Sequence, residues 1–207
     1  MKKIIILNGA GRKNGNTAEL IKAFTEGAEA AGNEVREFYL QTMNIHGCMN
    51  CQGCAREKDT TTVKTDAGEE AGAGDSQTPS QHYQPSVSSA SSASCVSYCV
   101  QKDDMQQIYD AYVNCDVIVF ASPVYWFTIT GTLKTAVDRL YALQKSMGLD
   151  AIKRDTVFIM TSGAPVEMNP QPIEWYSTFE KMLGWKSLGM ILGTGKTAEA
   201  RKLGESI

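Results

Sequence analysis

Short apolar runs recur along the chain and predict the strands of a single sheet. Residues 3–7, 116–121, 156–160 and 188–192 are apolar without the alternation of a half-exposed strand, so we expect all four to be buried on both faces. Residues 34–40 are amphipathic instead, which favours a place at the edge of the sheet.

Between these runs, apolar residues recur at the three- and four-residue spacing of helices. Such patterns start after Thr17, at residue 133 and near Trp175. The Asp103-Asp104 pair can cap another helix. Strands that alternate with helices predict an α/β fold, a doubly wound parallel sheet with helices on both faces. Because ligands bind such sheets at the carboxyl ends of the strands, the loops that follow the strands are the places to search for a site.

Residues 55–94 interrupt the alternation. This stretch contains no Leu, Ile, Phe, Met or Trp, and three basic side chains stand against six acidic ones. A segment of this composition cannot bury a core of its own. We therefore expect one domain over residues 1–207 that carries a long, flexible, low-complexity insertion at about 55–94.

The overall composition excludes several functional classes. The chain has 207 residues, of which 43% are hydrophobic, and 20 Lys and Arg side chains nearly balance 23 Asp and Glu. No basic field favours nucleic acid, and no apolar run is long enough to span a membrane. The two lysines at the start precede only four strongly apolar residues, which is too short for a signal peptide. We expect a cytoplasmic protein with neither nucleic-acid nor membrane partners.

The loop after the first strand has the composition of a phosphate site. It reads NGAGRKNGNT over residues 8–17, with glycines for close backbone approach, donors at Asn16 and Thr17, charge at Arg12 and a helix start behind it. It is not a Walker loop, and Asn14 stands where a dinucleotide motif needs its third glycine. A bound phosphomonoester is the prediction, and a tight Gly-rich turn without a ligand is the alternative.

Two further loops can hold the rest of a ligand. Tyr125, Trp126 and Phe127 follow the strand at 116–121 and suit a flat conjugated ring or a subunit partner; alternatively, they only pack against their own domain. Residues 161–164 follow the next strand and offer polar donors to the edge of the same ring.

Five of the six cysteines lie between residues 48 and 99. Cys48, Cys51 and Cys54 have the C-x2-C-x2-C spacing that lets three thiolates converge from one loop, as iron–sulfur clusters need, and a fourth ligand must come from elsewhere. Three interpretations stay open: a 4Fe-4S cluster, a zinc ion that only staples the loop, or inert thiols. Cys115 begins a buried strand and is predicted to be a core residue.

In combination, these motifs resemble those of the flavodoxin-like NAD(P)H-dependent FMN reductases, and in particular their iron–sulfur flavoprotein branch. The strings that carry the resemblance are ILNGAGRKNGNT, CMNCQGC, CVQKDDM and DVIVFASPVYWFTITGTLKTAVDRLYAL, and it covers nearly everything outside residues 55–94. The resemblance implies a five-stranded flavodoxin-like fold with FMN as cofactor. It also implies a homodimer or homotetramer with the flavin near the interface.

The same resemblance assigns the contacts of FMN to three loops. They are the phosphate loop, with Gly9, Ala10, Gly11, Arg12, Asn14, Asn16 and Thr17; the aromatic loop, with Pro123, Val124, Tyr125, Trp126, Phe127 and Thr128; and the polar loop, with Thr161, Ser162 and Gly163. The family usually has Ser-Pro at Ala10-Gly11, so this chain lacks one hydroxyl donor to the phosphate. The resemblance also makes Cys99 the fourth ligand of a 4Fe-4S cluster with Cys48, Cys51 and Cys54, and Cys95 is a spare candidate.

The function implied is that of an FMN-dependent NAD(P)H oxidoreductase, which passes hydride from nicotinamide to the flavin and on to a small acceptor such as free flavin or a quinone. No catalytic side chain is expected, because the cofactor carries the chemistry. The alternative is an iron–sulfur flavoprotein that exchanges electrons with a ferredoxin-like partner and uses no nicotinamide. A third hypothesis is a binding or redox-sensing module whose serine-rich insertion recruits a partner.

Overall fold

The computed structural model describes residues 1–55 and 98–207, and five strands in these ranges form one sheet. The strands are β1 (Lys3–Asn8), β2 (Glu34–Tyr39), β3 (Val117–Pro123), β4 (Asp155–Thr161) and β5 (Lys186–Leu192). All neighbours pair in parallel, in the order β2-β1-β3-β4-β5. This is the flavodoxin-like order, as predicted. The predicted insertion and Cys95 lie outside the described residues, apart from Ala55 at the boundary.

Six helices occur within the described ranges. They are α1 (Asn16–Ala30), α2 (Met105–Val113), α3 (Gly131–Arg139), α4 (Tyr141–Met147), α5 (Pro170–Leu183) and α6 (Thr197–Glu205). The four helices predicted from the sequence correspond to α1, α2, α3 with α4, and α5. The pattern that begins at residue 133 is divided at Leu140, where one helix ends and the next begins. Helix α6 was not predicted, because Ala200 and Gly204 are its only buried residues.

Helices cover both faces of the sheet, which explains why the central strands are apolar throughout. Ile4 and Ile6 of β1 point to one face, where α1 and α6 pack. Ile5 and Leu7 point to the other face, where residues of α2 to α5 complete a second and larger core. A strand buried on both sides has no polar face to alternate with its apolar one.

The position of β5 corrects one expectation. The run at 188–192 was predicted to be buried on both faces, but β5 lies at the free edge of the sheet, and Ile191 is its only buried residue. Met190 is 41% exposed. An apolar run shows that a strand packs against something, whereas its place in the sheet depends on tertiary pairing. Residues 34–40, predicted at an edge, do form the opposite edge strand, β2.

Helices α1 and α6 touch through glycines. A Cβ atom placed on Gly27 of α1 would overlap the Arg201 carbonyl oxygen, and one placed on Gly204 of α6 would overlap the Phe24 carbonyl oxygen. The two backbones can approach this closely only because neither position carries a side chain. In the part of the chain that the structure describes, no helix is long and apolar enough to cross a membrane.

Candidate functional site

The three loops predicted to hold a cofactor line one pocket. Strands β1, β3 and β4 are adjacent and parallel, so their carboxyl ends lie side by side and the loops that follow them meet. The pocket has a cavity volume of about 220 Å³. Its lining consists of Ala10, Gly11, Arg12, Gly15, Asn16, Thr17, Pro123, Val124, Tyr125, Thr161, Ser162 and Gly163.

One end of this pocket is the start of α1. Gly15 occupies the N-cap position in an extended conformation and has no side chain with which to cap the helix. The first N–H groups of α1, together with the side chains of Asn16 and Thr17, therefore remain available to an anion. The Arg12 side chain packs over Gly15, with its guanidinium 3.6 Å from the position that a Cβ would take. This arrangement fits a phosphate group.

Thr17 also connects two of the loops. Its hydroxyl lies 2.6 Å from the hydroxyl of Thr161, and both side chains are buried. One hydroxyl donates its hydrogen bond to the other, so the second hydroxyl still has its O–H free to donate a hydrogen bond to a ligand in the pocket. The polar loop is braced as well, because the Ser162 hydroxyl accepts hydrogen bonds of 3.0 Å from the Ala164 backbone and from the Asn169 side chain.

The aromatic loop forms a tight turn at the side of the pocket. Tyr125 and Thr128 exchange two backbone hydrogen bonds, of 2.9 and 3.2 Å, and the two residues between them have positive φ angles of 49° at Trp126 and 69° at Phe127. This is the dihedral pattern of a type I′ turn, which bulky side chains rarely adopt. The Tyr125 hydroxyl lies against Gly11, so its side chain bridges the aromatic and phosphate loops.

Five of the residues predicted to contact FMN are absent from the pocket lining. Trp126 is 90% exposed and Phe127 is 59% exposed at the tip of the turn, and Thr128 ends the turn. Asn14 lines a separate depression along α1. Gly9 lies beneath the loop, where a Cβ would overlap the Thr130 hydroxyl oxygen, so its role is to let the phosphate loop approach α3.

The predicted cysteines line a second pocket. Cys48, Cys51, Cys54 and Cys99 all contribute to it, together with Arg139. Burial raises the pKa of the Cys54 thiol, a backbone hydrogen bond lowers it, and the nearby Cys99, Cys48 and Cys51 raise it further. The four thiols are therefore electrostatic neighbours. In the described ranges, however, no three His, Cys, Asp or Glu side chains stand close enough to hold a single metal ion.

Comparison with known proteins identifies the family of this chain. Residues 2–192 match the sequence profile of the flavodoxin-like fold family. The chain belongs to the flavodoxin-like fold family. The resemblance seen in the motifs is thereby confirmed, and so is the fold predicted from the alternation of strands and helices.

Relatives of this flavodoxin-like protein include iron–sulfur flavoproteins. One from Archaeoglobus fulgidus is 26% identical over 140 residues, which is 68% of this chain and 46% of that protein. Another, from Methanosarcina thermophila, is 24% identical over 143 residues, 69% of this chain and 54% of that protein. The chain thus spans about half the length of these curated relatives.

Solved structures share the fold. An NAD(P)H:quinone oxidoreductase from Methanothermobacter marburgensis superposes with a TM-score of 0.61 at 16% identity, covering 99% of this chain and 95% of the other. At that identity, the likeness shows the fold alone.

Two residues that position the sites of this flavodoxin-like protein were missed in the sequence. The Asn8 side chain accepts a 2.8 Å hydrogen bond from the Ala10 backbone and donates one of 2.7 Å to Glu37, so it braces the phosphate loop from below. Its signal was a polar residue at the end of an apolar strand. Arg139 was missed as well, because it looks like an ordinary charged position on α3, yet it is buried.

Proposed function

We propose that this protein is an FMN-dependent NAD(P)H oxidoreductase. The observation that carries the proposal is the convergence of the three loops on one pocket, with an anion cradle at the start of α1 and Tyr125 with the polar loop beside it. When bound, FMN would supply the redox chemistry: it would accept a hydride from NAD(P)H and pass the two electrons to a small acceptor such as free flavin or a quinone.

The phosphate end of FMN would bind the phosphate loop. The N–H groups at the start of α1 and the side chains of Arg12, Asn16 and Thr17 supply donors and positive charge for a dianion. Ala10 supplies little there, since its backbone N–H is already bonded to Asn8.

The isoalloxazine ring would lie between the aromatic and polar loops. Pro123, Val124 and Tyr125 form an apolar wall. The polar edge of the ring would face the polar loop, where the hydroxyls of Thr161 and Ser162 and the backbone N–H of Gly163 can act as donors. Trp126 and Phe127 project beyond the pocket, where nicotinamide or a second copy of the chain in a homodimer or homotetramer would cover them. These residues position the reactants, and none acts as an acid or a nucleophile.

The test is a flavin titration of the full chain. We expect FMN to bind with quenched fluorescence and NAD(P)H to bleach its absorption band. Asn16→Ala should weaken FMN binding by about 1 to 2 kcal/mol, the value of a charge-assisted hydrogen bond. The matched control is Asn14→Ala, which should leave the affinity unchanged because Asn14 lies outside the lining. A wild-type chain with no affinity for FMN would refute the proposal.

A second candidate is an iron–sulfur flavoprotein that exchanges electrons with a ferredoxin-like partner. The observation in its favour is the pocket shared by Cys48, Cys51, Cys54 and Cys99. Four cysteines that line one pocket can supply the four thiolates that a 4Fe-4S cluster needs.

An absorption spectrum and an iron assay of protein purified without oxygen separate the two candidates. If the iron–sulfur candidate is right, we expect the wild type to contain iron. The iron should be lost in a Cys51→Ser, Cys54→Ser variant and kept in Cys115→Ala, whose thiol lies in the core. If the reductase is right and the thiols are bystanders, the double variant keeps its rate of flavin reduction by NAD(P)H within about threefold. Iron in the wild type with negligible hydride transfer would favour the carrier.

A further inference from the structure

A buried ion pair stands next to the cysteine pocket. The guanidinium of Arg139 meets the Asp103 carboxylate through two hydrogen bonds, 2.6 Å from Nη1 to Oδ2 and 3.1 Å from Nη2 to Oδ1. Both side chains are almost fully excluded from solvent. Burial disfavours the charge on Arg139, but the hydrogen bonds and charge of Asp103 outweigh it and raise the arginine pKa. The arginine is therefore a fixed positive charge in the interior.

The pair holds the chain that leads into the cysteines. Arg139 Nη1 also donates a 2.7 Å hydrogen bond to the His46 carbonyl, while the His46 N–H donates one of 3.1 Å to Asp103. Asp104 extends the connection by accepting a 2.7 Å hydrogen bond from the Asn44 N–H. The segment just before Cys48 is thus fastened to the segment between Cys99 and α2. From the sequence, Asp103 and Asp104 were predicted only to cap a helix. In the structure Asp103 accepts a 3.2 Å hydrogen bond from the Met105 N–H, whereas the Asp104 side chain makes no capping hydrogen bond.

Of the two residues in the ion pair, only the arginine reaches the cysteine pocket. Arg139 lines the pocket with the four cysteines, whereas Asp103 is not part of the lining. The Arg139 Nε atom is buried, and among the residues that the structure describes it has no hydrogen-bond partner. A buried N–H donor without an acceptor costs free energy, so it requires an explanation. An anionic group bound in the pocket would supply the missing acceptor.

We propose that Arg139 is a positioning residue of the cysteine pocket, which holds the preceding chain through the His46 carbonyl and directs its charge and its Nε–H donor to the sulfur ligands of an anionic iron–sulfur cluster. This role rests on the second candidate function. Hydrogen bonds to the sulfurs and nearby charge set the reduction potential of such clusters. Because reduction adds a negative charge, Arg139 stabilises the reduced state and raises the potential.

The test is a redox titration of the full chain after anaerobic reconstitution with ferrous iron and sulfide, followed by electron paramagnetic resonance. Arg139→Met removes the positive charge and the donor. At the wild-type midpoint potential we expect its oxidised-to-reduced ratio to rise about tenfold, equivalent to about 59 mV for a one-electron couple. Asp103→Asn removes the countercharge and keeps Arg139, so its potential should move in the opposite direction. Arg139→Lys keeps the charge and should fall between wild type and Arg139→Met.

Opposite shifts distinguish this role from a merely structural one, which would lower the iron content or the melting temperature of every variant without moving the potential. If Arg139→Met does not fold, the Asp103→Leu, Arg139→Met double variant removes both buried charges, which apolar residues can often replace. Its potential should still lie below that of wild type. The flavin absorption spectrum, recorded alongside, should be unchanged in all variants.

The outcomes separate this proposal from the function on which it rests. A wild-type chain that takes up no iron would overturn the cluster assignment and this role together. A cluster-loaded Arg139→Met variant with an unmoved potential would overturn the role alone, and the iron–sulfur candidate would stand.

Discussion

The hydroxyl of Thr17 belongs to two loops at once, since it bonds to Thr161 across the floor of the pocket. Thr17→Ala removes this link and one donor to an anion, so we expect FMN binding to weaken by about 1 to 2 kcal/mol. Thr17→Ser keeps the hydroxyl and should bind FMN nearly as well as wild type. Fluorescence titration measures both, and an unchanged affinity in Thr17→Ala would show that the phosphate binds elsewhere.

Burial divides the cysteines into reactive and protected thiols. Cys48 and Cys51 are exposed, whereas Cys115 is buried and its pKa is raised to about 11, chiefly by burial. Since a raised pKa keeps the thiol protonated, only about one Cys115 in a thousand is a thiolate at pH 8. In iron-free protein at that pH, iodoacetamide should modify Cys48 and Cys51 but not Cys115. Peptide mass spectrometry checks this, with protein in denaturant as the control; rapid labelling of folded Cys115 would contradict its burial.

At the scale of elements, the turn after β3 separates neighbouring aromatic residues. Tyr125 lines the pocket and is 52% exposed, whereas Trp126 points away from it. Tyr125→Ala should therefore weaken FMN binding by about 1 kcal/mol, the value of an aromatic contact. Trp126→Ala should leave the FMN affinity unchanged and instead raise the KM for NAD(P)H or dissociate an oligomer. A larger loss of FMN affinity in Trp126→Ala would show that the turn folds over the bound flavin.

The contact between α1 and α6 depends on glycine. A methyl group on Gly27 would overlap backbone atoms of α6, which cannot move aside as a side chain can. Gly27→Ala should therefore destabilise the protein by about 1 to 3 kcal/mol, the usual cost of overpacking. Gly131→Ala is the matched control, because a Cβ at the start of α3 meets nothing within 4 Å. Urea denaturation compares the two, and equal stability would mean that the helices separate at little cost.

At the scale of the whole molecule, residues 1–55 and 98–207 contain a five-stranded sheet with a core on each of its faces. Replacing residues 56–94 with a short Gly-Ser bridge should therefore change the melting temperature by only a few degrees, because the entropic cost of closing a loop depends only weakly on the length of the loop. FMN binding should persist. Calorimetry and a flavin titration provide the test, and a loss of solubility or flavin would mean that the insertion covers a site or an interface.

The chain by itself determined the fold and the location of the pocket that the three loops line. Apolar runs buried on both faces specify a parallel sheet, and parallel strands bring the ends of β1, β3 and β4 together. Only the tertiary structure decided which neighbours in a loop face the pocket. Tyr125 and Trp126 look alike in the sequence, and the positive φ angle of Trp126 separates them.

Only the tertiary structure identified the charged residue that lies beside the cysteines. Sequence spacing identified Cys48, Cys51 and Cys54, because they lie on one short loop, and the family resemblance added Cys99, which lines the same pocket. It could not identify Arg139 as their neighbour, since burial of a charge depends on a partner 36 positions away, Asp103. Local patterns record which face of an element is apolar, whereas a buried ion pair forms only when distant segments pack together.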